Sequence, residues 1–160
     1  MKPIVALMLI SLCFAARAQD AATALVAHLT STPFFAFGGV GYAGVVSQGE
    51  IDFHLLMSQP RPVAQESFGT IYATGNAESK AYALAGIREL DPQEFERLFA
   101  LLSHSNEKIS TMVGCLVEKR SLIDVAGELK AGKYDYWIKR PPARPLSQKQ
   151  KPLGGYLDLR

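Results

Sequence analysis

The chain has 160 residues, with 17 lysines and arginines against 15 aspartates and glutamates, two cysteines and 48% hydrophobic residues. That is the size and balance of one ordinary globular domain, and it excludes a wholly disordered, collagen-like or disulfide-dense chain. The net charge of +2 is nonetheless a sum of unlike parts. Residues 1–18 carry two basic side chains, 19–138 carry nine basic and fourteen acidic ones, and 139–160 carry six basic and one acidic.

Residues 1–18 read as a secretory signal peptide. Lys2 opens a short positive region, Pro3 to Ala16 is almost wholly apolar, and Ala16-Arg17-Ala18 offers small residues at the −3 and −1 positions before Gln19. The apolar stretch is shorter than the ~20 residues a membrane span needs. A periplasmic or extracellular mature protein without a transmembrane span is therefore expected. Cys13 follows Leu12, where a lipid-attachment box needs Gly, Ala or Ser. Removal of the leader leaves Cys115 as the one thiol, so no intramolecular disulfide is expected.

The mature chain predicts a single domain over 19–138. Ala21, Leu25 and Leu29 share one face of a short helix over 20–30. Phe34, Phe35 and Phe37 precede a glycine cluster at 38, 39, 41 and 44, where regular helix is unfavourable. Ser47 and Glu50 then form an S-x-x-E capping box for a helix to about Ser58. Pro60 and Pro62 separate it from the next, with Ala64, Phe68, Ile71 and Tyr72 inward and Gly75 as the stop. Asn76 caps a helix through Glu89, with Ala81, Tyr82, Leu84, Ala85 and Leu90 inward. Asp91-Pro92-Gln93-Glu94 is the strongest helix start in the chain, and Phe95, Leu98, Phe99 and Leu102 make its stripe.

These four helices start about 15 residues apart, the spacing of two helix hairpins that stack as in an α-solenoid. Odd positions from Ile109 to Val117 alternate with Ser110, Met112, Gly114 and Glu118, a strand pattern that places Cys115 on the buried face. A helix capped at Ser121 follows, closed by Gly132, and Tyr134 to Ile138 reads as a second strand, parallel to the first through a helical crossover. A third strand is expected within Phe34 to Val46. The fold class is thus mainly helical, α+β, with a small β element. Residues 139–160 hold four prolines, two glycines and six basic side chains, and read as a disordered tail.

The runs FGGVGYAGVVSQGE, ESKAYALAGIRELDPQEFERL and MVGCLVEK resemble a group of small exported bacterial proteins without an assigned function, over roughly residues 35–138. The middle run also resembles HEAT-type helical repeats. The resemblance implies a compartment and a fold, and brings no catalytic residues with it.

Gly39-Val40-Gly41-Tyr42-Ala43-Gly44 satisfies G-x-G-x-x-G. A dinucleotide fingerprint needs its helix to begin inside the glycine run, whereas Val45 and Val46 intervene before Ser47, so no cofactor is expected. The loop, Gly38, Gly39, Gly41, Tyr42 and Gly44, reads either as tight backbone packing or as a lip for a ligand or partner. His28, His54 and His104 lie in no metal-ligand spacing, and no metal site is expected. His54, four residues from Glu50 and two from Asp52, is the best acid/base candidate, with a solvated Glu50-His54 pair as its ordinary reading. Cys115 is a nucleophile only with a paired base, and otherwise a small core residue.

No complete catalytic constellation emerges. The sequence favours an exported interaction module that binds another protein, or an anionic cell-envelope surface through the basic tail, and does not recognise nucleic acid. Two alternatives stand beside it. One is a small hydrolase or transferase built on His54 with Glu50 or Asp52; the other is an inhibitor or immunity partner of an exported toxin.

Overall fold

Three side-chain caps set the helical register of this chain. In the computed structural model, which describes residues 21–142, Ser47 Oγ accepts the Glu50 amide at 3.1 Å, Asn76 Oδ1 the Ser79 amide at 2.8 Å and Asp91 Oδ1 the Glu94 amide at 3.1 Å. Each satisfies a backbone donor that the first helical turn leaves without a partner. They open α2 (Gln48–Met57), α4 (Ala77–Leu90) and α5 (Pro92–Leu102), and α3 (Arg61–Thr74) begins with Pro62 in its first turn. Residues 21–29 form α1. Helices α6 (Leu122–Lys130) and α7 (Asp135–Ile138) complete a mostly helical domain with two small antiparallel strand pairs. Residues 1–18, expected to be a signal peptide and holding Cys13, and the expected basic tail from 143 onward lie outside the described residues.

The capping box is only half made. Ser47 caps the helix as expected, but Glu50 does not reach back to the Ser47 amide; its carboxylate turns to the amide of Gly38 instead. Gly75 ends α3 for a reason other than a left-handed conformation. Its φ is −79°, and a Cβ there would lie 2.6 Å from the Ile71 carbonyl oxygen. The glycine lets the α3–α4 connection pass close to the helix it leaves.

Helix α4 is the hub, packed by α2, α3, α5, α6 and β3 (Lys108–Val113). All seven residues from Ala81 to Ile87 are buried, so the helix has no solvent side over its middle two turns. The small residues of AYALAGI allow this. At Gly86 an added Cβ would stand 2.5 Å from the Phe68 ring, and at Gly49 one would stand 2.7 Å from the Tyr82 ring. Around α4 lies an aromatic cluster in which Phe37 meets Phe35, Phe53 and Tyr82 with ring centroids 5.1 to 5.5 Å apart. Such tilted and edge-on contacts add to the area the rings bury.

The β element differs from the sequence expectation. Residues 108–121 do not form one strand but fold on themselves, β3 pairing antiparallel with β4 (Leu116–Ser121) in the register Val113 to Leu116 and Lys108 to Ser121. Gly114, at φ +55°, occupies the first position of the two-residue turn, where glycine carries no steric cost. Cys115 is the second turn residue and is exposed, which corrects its expected place on a buried face. The alternation that suggested burial stops at Val113. Tyr134 to Ile138 is not a strand either: Gly132, at φ +79°, redirects the chain after α6, and Asp135 opens the short helix α7, held by ion pairs with Arg88 and Lys139. The Phe34 to Val46 stretch does add extended chain to the sheet, through parallel bridges of Phe35 with Thr111 and Val40 with Gly114. Within it, β1 (Gly39–Val40) and β2 (Val45–Val46) form a hairpin of their own.

Candidate functional site

The three acid/base candidates stand on one helix but serve three different neighbours. Glu50, 3% exposed, accepts the Gly38 amide at 2.8 Å, and burial raises its carboxyl to about 7 while that hydrogen bond pulls it down. Asp52 is buried; its Oδ1 accepts from Gln48 Nε2 at 3.0 Å and its Oδ2 pairs with His28 Nδ1 on α1. His54 is half-buried, and burial lowers its pKa against the opposing pull of a hydrogen bond with the Trp137 backbone. Its Nε2 is buried with no hydrogen-bond partner among the described residues.

No hydrogen bond or ion pair among the described residues joins Glu50 to His54, so the expected pair is not made. The spacing of four residues is right for it; competition decides otherwise. The Gly38 amide claims the carboxylate and α7 claims the ring. What α2 provides is a strut that ties α1, the glycine loop and α7 to the core. Next to it, Tyr82 Oη donates to the Ala36 carbonyl at 2.7 Å and accepts the Ala36 amide at 3.0 Å, with Ser47 Oγ 3.2 Å away. Burial raises the phenol far above its ordinary value, so it stays a neutral donor.

The glycine loop divides at Gly38. That residue, buried and at φ +90°, presents its missing side chain to the Trp137 indole, 2.8 Å from where a Cβ would sit. Beyond Val40, itself buried, the loop leaves the core. Gly41, Tyr42, Ala43 and Gly44 make the β1–β2 tip, and the Gly41 amide donates to the Gly114 carbonyl at 2.8 Å. The two hairpin tips are thus fastened to each other. Around that bond Tyr42 is fully exposed, Val113 is 76%, Leu116 68% and Val117 61% exposed, and Cys115 is exposed beside them. Lys119 and Arg120, the cations nearest Cys115 in the sequence, pair with Glu78 and Glu128.

A concavity of about 570 Å³ lies between α3 and α5 over the floor of α4, with Tyr72, Ile87, Leu98 and Leu101 as its apolar part. Its charges are spoken for, Arg97 by Glu94 and Lys80 by Glu107. His104 is exposed in the turn after α5. Among the described residues, no group of three or more His, Cys, Asp or Glu side chains is placed to hold a metal ion, and no helix is long and apolar enough to cross a membrane.

Sequence reasoning singled out the glycine loop but missed its partner tip. Reading Val113, Cys115 and Val117 as one alternating buried face concealed it. Gly114 between apolar neighbours was the available signal of a turn. No protein-family model, curated protein or solved structure matches this chain.

Proposed function

We propose that the protein is an exported interaction module that engages another macromolecule through its joined hairpin tips and has no catalytic step of its own. The observation that carries this reading is the exposure of Tyr42, Val113, Leu116 and Val117 on the two hairpins that the Gly41 to Gly114 hydrogen bond joins. Large apolar side chains clustered in solvent mark interaction surfaces. A tyrosine held out on a hairpin offers contact area at low entropic cost. The separate engagements of Glu50, Asp52 and His54 weigh against the acid/base alternative.

Export by residues 1–18, kinship with the small exported proteins noted above and attachment through the basic stretch 139–160 belong to the same proposal. So does the finer reading of α2 to α5 as two stacked hairpins. The groove between α3 and α5 supports it, as the concave side of such a stack.

The test is capture from the exported fraction with the wild-type chain and with the Tyr42→Ser/Leu116→Ser variant. A macromolecule retained by the first and lost by the second, at unchanged melting temperature, is expected. Equal capture by both would remove the tips from the function. A turnover abolished by His54→Ala in a folded protein would replace the reading with the enzymatic one.

A further inference from the structure

Strand β4 is the outer strand of its hairpin, and the bonds made by β3 decide which of its peptide groups are unused. Phe35 donates its amide to the Ser110 carbonyl at 2.8 Å and accepts the Met112 amide at 3.0 Å. Ser110 and Met112 therefore direct their peptide groups away from β4. Direction alternates along a strand, so Ile109, Thr111 and Val113 direct theirs toward β4, opposite Arg120, Glu118 and Leu116. The amide and carbonyl groups of Val117 and Lys119 consequently face outward, and no backbone hydrogen bond among the described residues outside the hairpin uses them. An open edge flanked by exposed apolar side chains is a template for another strand.

We propose that this edge takes a second copy of the chain, β4 against β4 in antiparallel register, centred on Val117. The inference rests on the tips being an interaction surface and names the partner. An antiparallel edge is complementary to itself under a two-fold axis. Residues directly opposite must share a face, so a symmetric pairing is centred on one residue facing its own copy. Charge selects which one. Centring on Glu118 sets two carboxylates opposite each other, and centring on Lys119 sets two ammonium groups opposite each other, both destabilising. Centring on Val117 sets valine on valine and Leu116 beside the stem of Glu118. It also covers apolar surface that is 61 to 68% exposed in the single chain. So short a strand pair covers less than the about 1,000 Å² of a stable interface, so the dimer forms in a concentration-dependent equilibrium.

Sedimentation equilibrium of the purified protein over a concentration series tests this, with Cys13→Ser/Cys115→Ser as the background that removes both native thiols. That background should dimerise, and Val117→Pro should not. Proline there deletes only an outward N–H, leaving every β3–β4 hydrogen bond in place, so circular dichroism should be unchanged. Val117→Lys, which opposes two charges at the centre, should also be monomeric and covers the case in which proline unfolds the hairpin.

In the same background Val117→Cys should oxidise to a linked dimer on the order of tenfold faster than Lys119→Cys. Opposed residues at 117 stand within disulfide reach, whereas two residues at 119 lie roughly 13 Å apart along the strands. A monomer at every concentration, a dimer that survives both Val117 substitutions, or faster bridging at 119 would overturn the inference. A protein that stays monomeric yet loses a captured partner on Tyr42→Ser/Leu116→Ser would sink the self-pairing while leaving the proposed function intact.

Discussion

The carboxylate of Glu50 and the amide of Gly38 meet at 2.8 Å in the interior, beneath the Trp137 indole that packs on Gly38. Burial raises the carboxyl from 4.5 to about 7. The folded protein therefore binds more protons here than the unfolded chain between about pH 4.5 and 7. Stability contributed by the neutral carboxyl is complete below about pH 4.5 and is lost as pH rises through about 7. His54 acts in the opposite sense: its lowered pKa gives stability that is present above 6.5 and lost as pH falls through the lowered value. A single variant separates the two. Glu50→Gln should be more stable than wild type by about 1–3 kcal/mol at pH 8, with the difference vanishing near pH 4.5. Urea unfolding at both pH values checks it; a gain that does not change with pH would show that the carboxyl is not the titrating group.

Tyr82→Phe keeps the buried ring and removes the hydroxyl that satisfies both the amide and the carbonyl of Ala36. The buried Ala36 amide then has no partner and the carbonyl keeps only the longer 3.3 Å bond from Ser47 Oγ, which should cost about 1–3 kcal/mol. Thermal unfolding reads the loss. An unchanged midpoint would mean that water or Ser47 takes over the hydroxyl's role.

Gly86→Ala opposes local and tertiary preference directly. Helix propensity favours alanine by about 1 kcal/mol. The new methyl group, however, would stand 2.5 Å from the buried Phe68 ring, and overpacking of this kind costs about 1–3 kcal/mol. Net destabilisation is expected in denaturant unfolding. A stabilised variant would show that α3 can move away from α4 at little cost.

Cys115, exposed at the β3–β4 turn, should react with a thiol reagent in the native protein about as fast as in denaturant, within roughly threefold. Slow native labelling would place the tip under cover in solution. Comparison at low and high protein concentration would then tell whether a second copy provides that cover.

The starts of α2, α4 and α5 were legible because each is fixed by atoms three residues apart. Ser47, Asn76 and Asp91 cap their helices through their own side chains, and no distant contact is needed to make that geometry. Apolar spacing likewise gave the inner faces of α3 and α5. Tertiary structure alone decided the rest. Whether Glu50 would bond Ser47, His54 or Gly38 depended on which donor the fold left buried beside it. Whether Val113 lies inside or outside depended on how far the β3–β4 hairpin reaches past what covers Ile109 and Thr111, and the turn at Gly114 set Val117 opposite Met112, on the other face. Alternation along a strand defines two faces, but only what packs against the sheet makes one of them the interior.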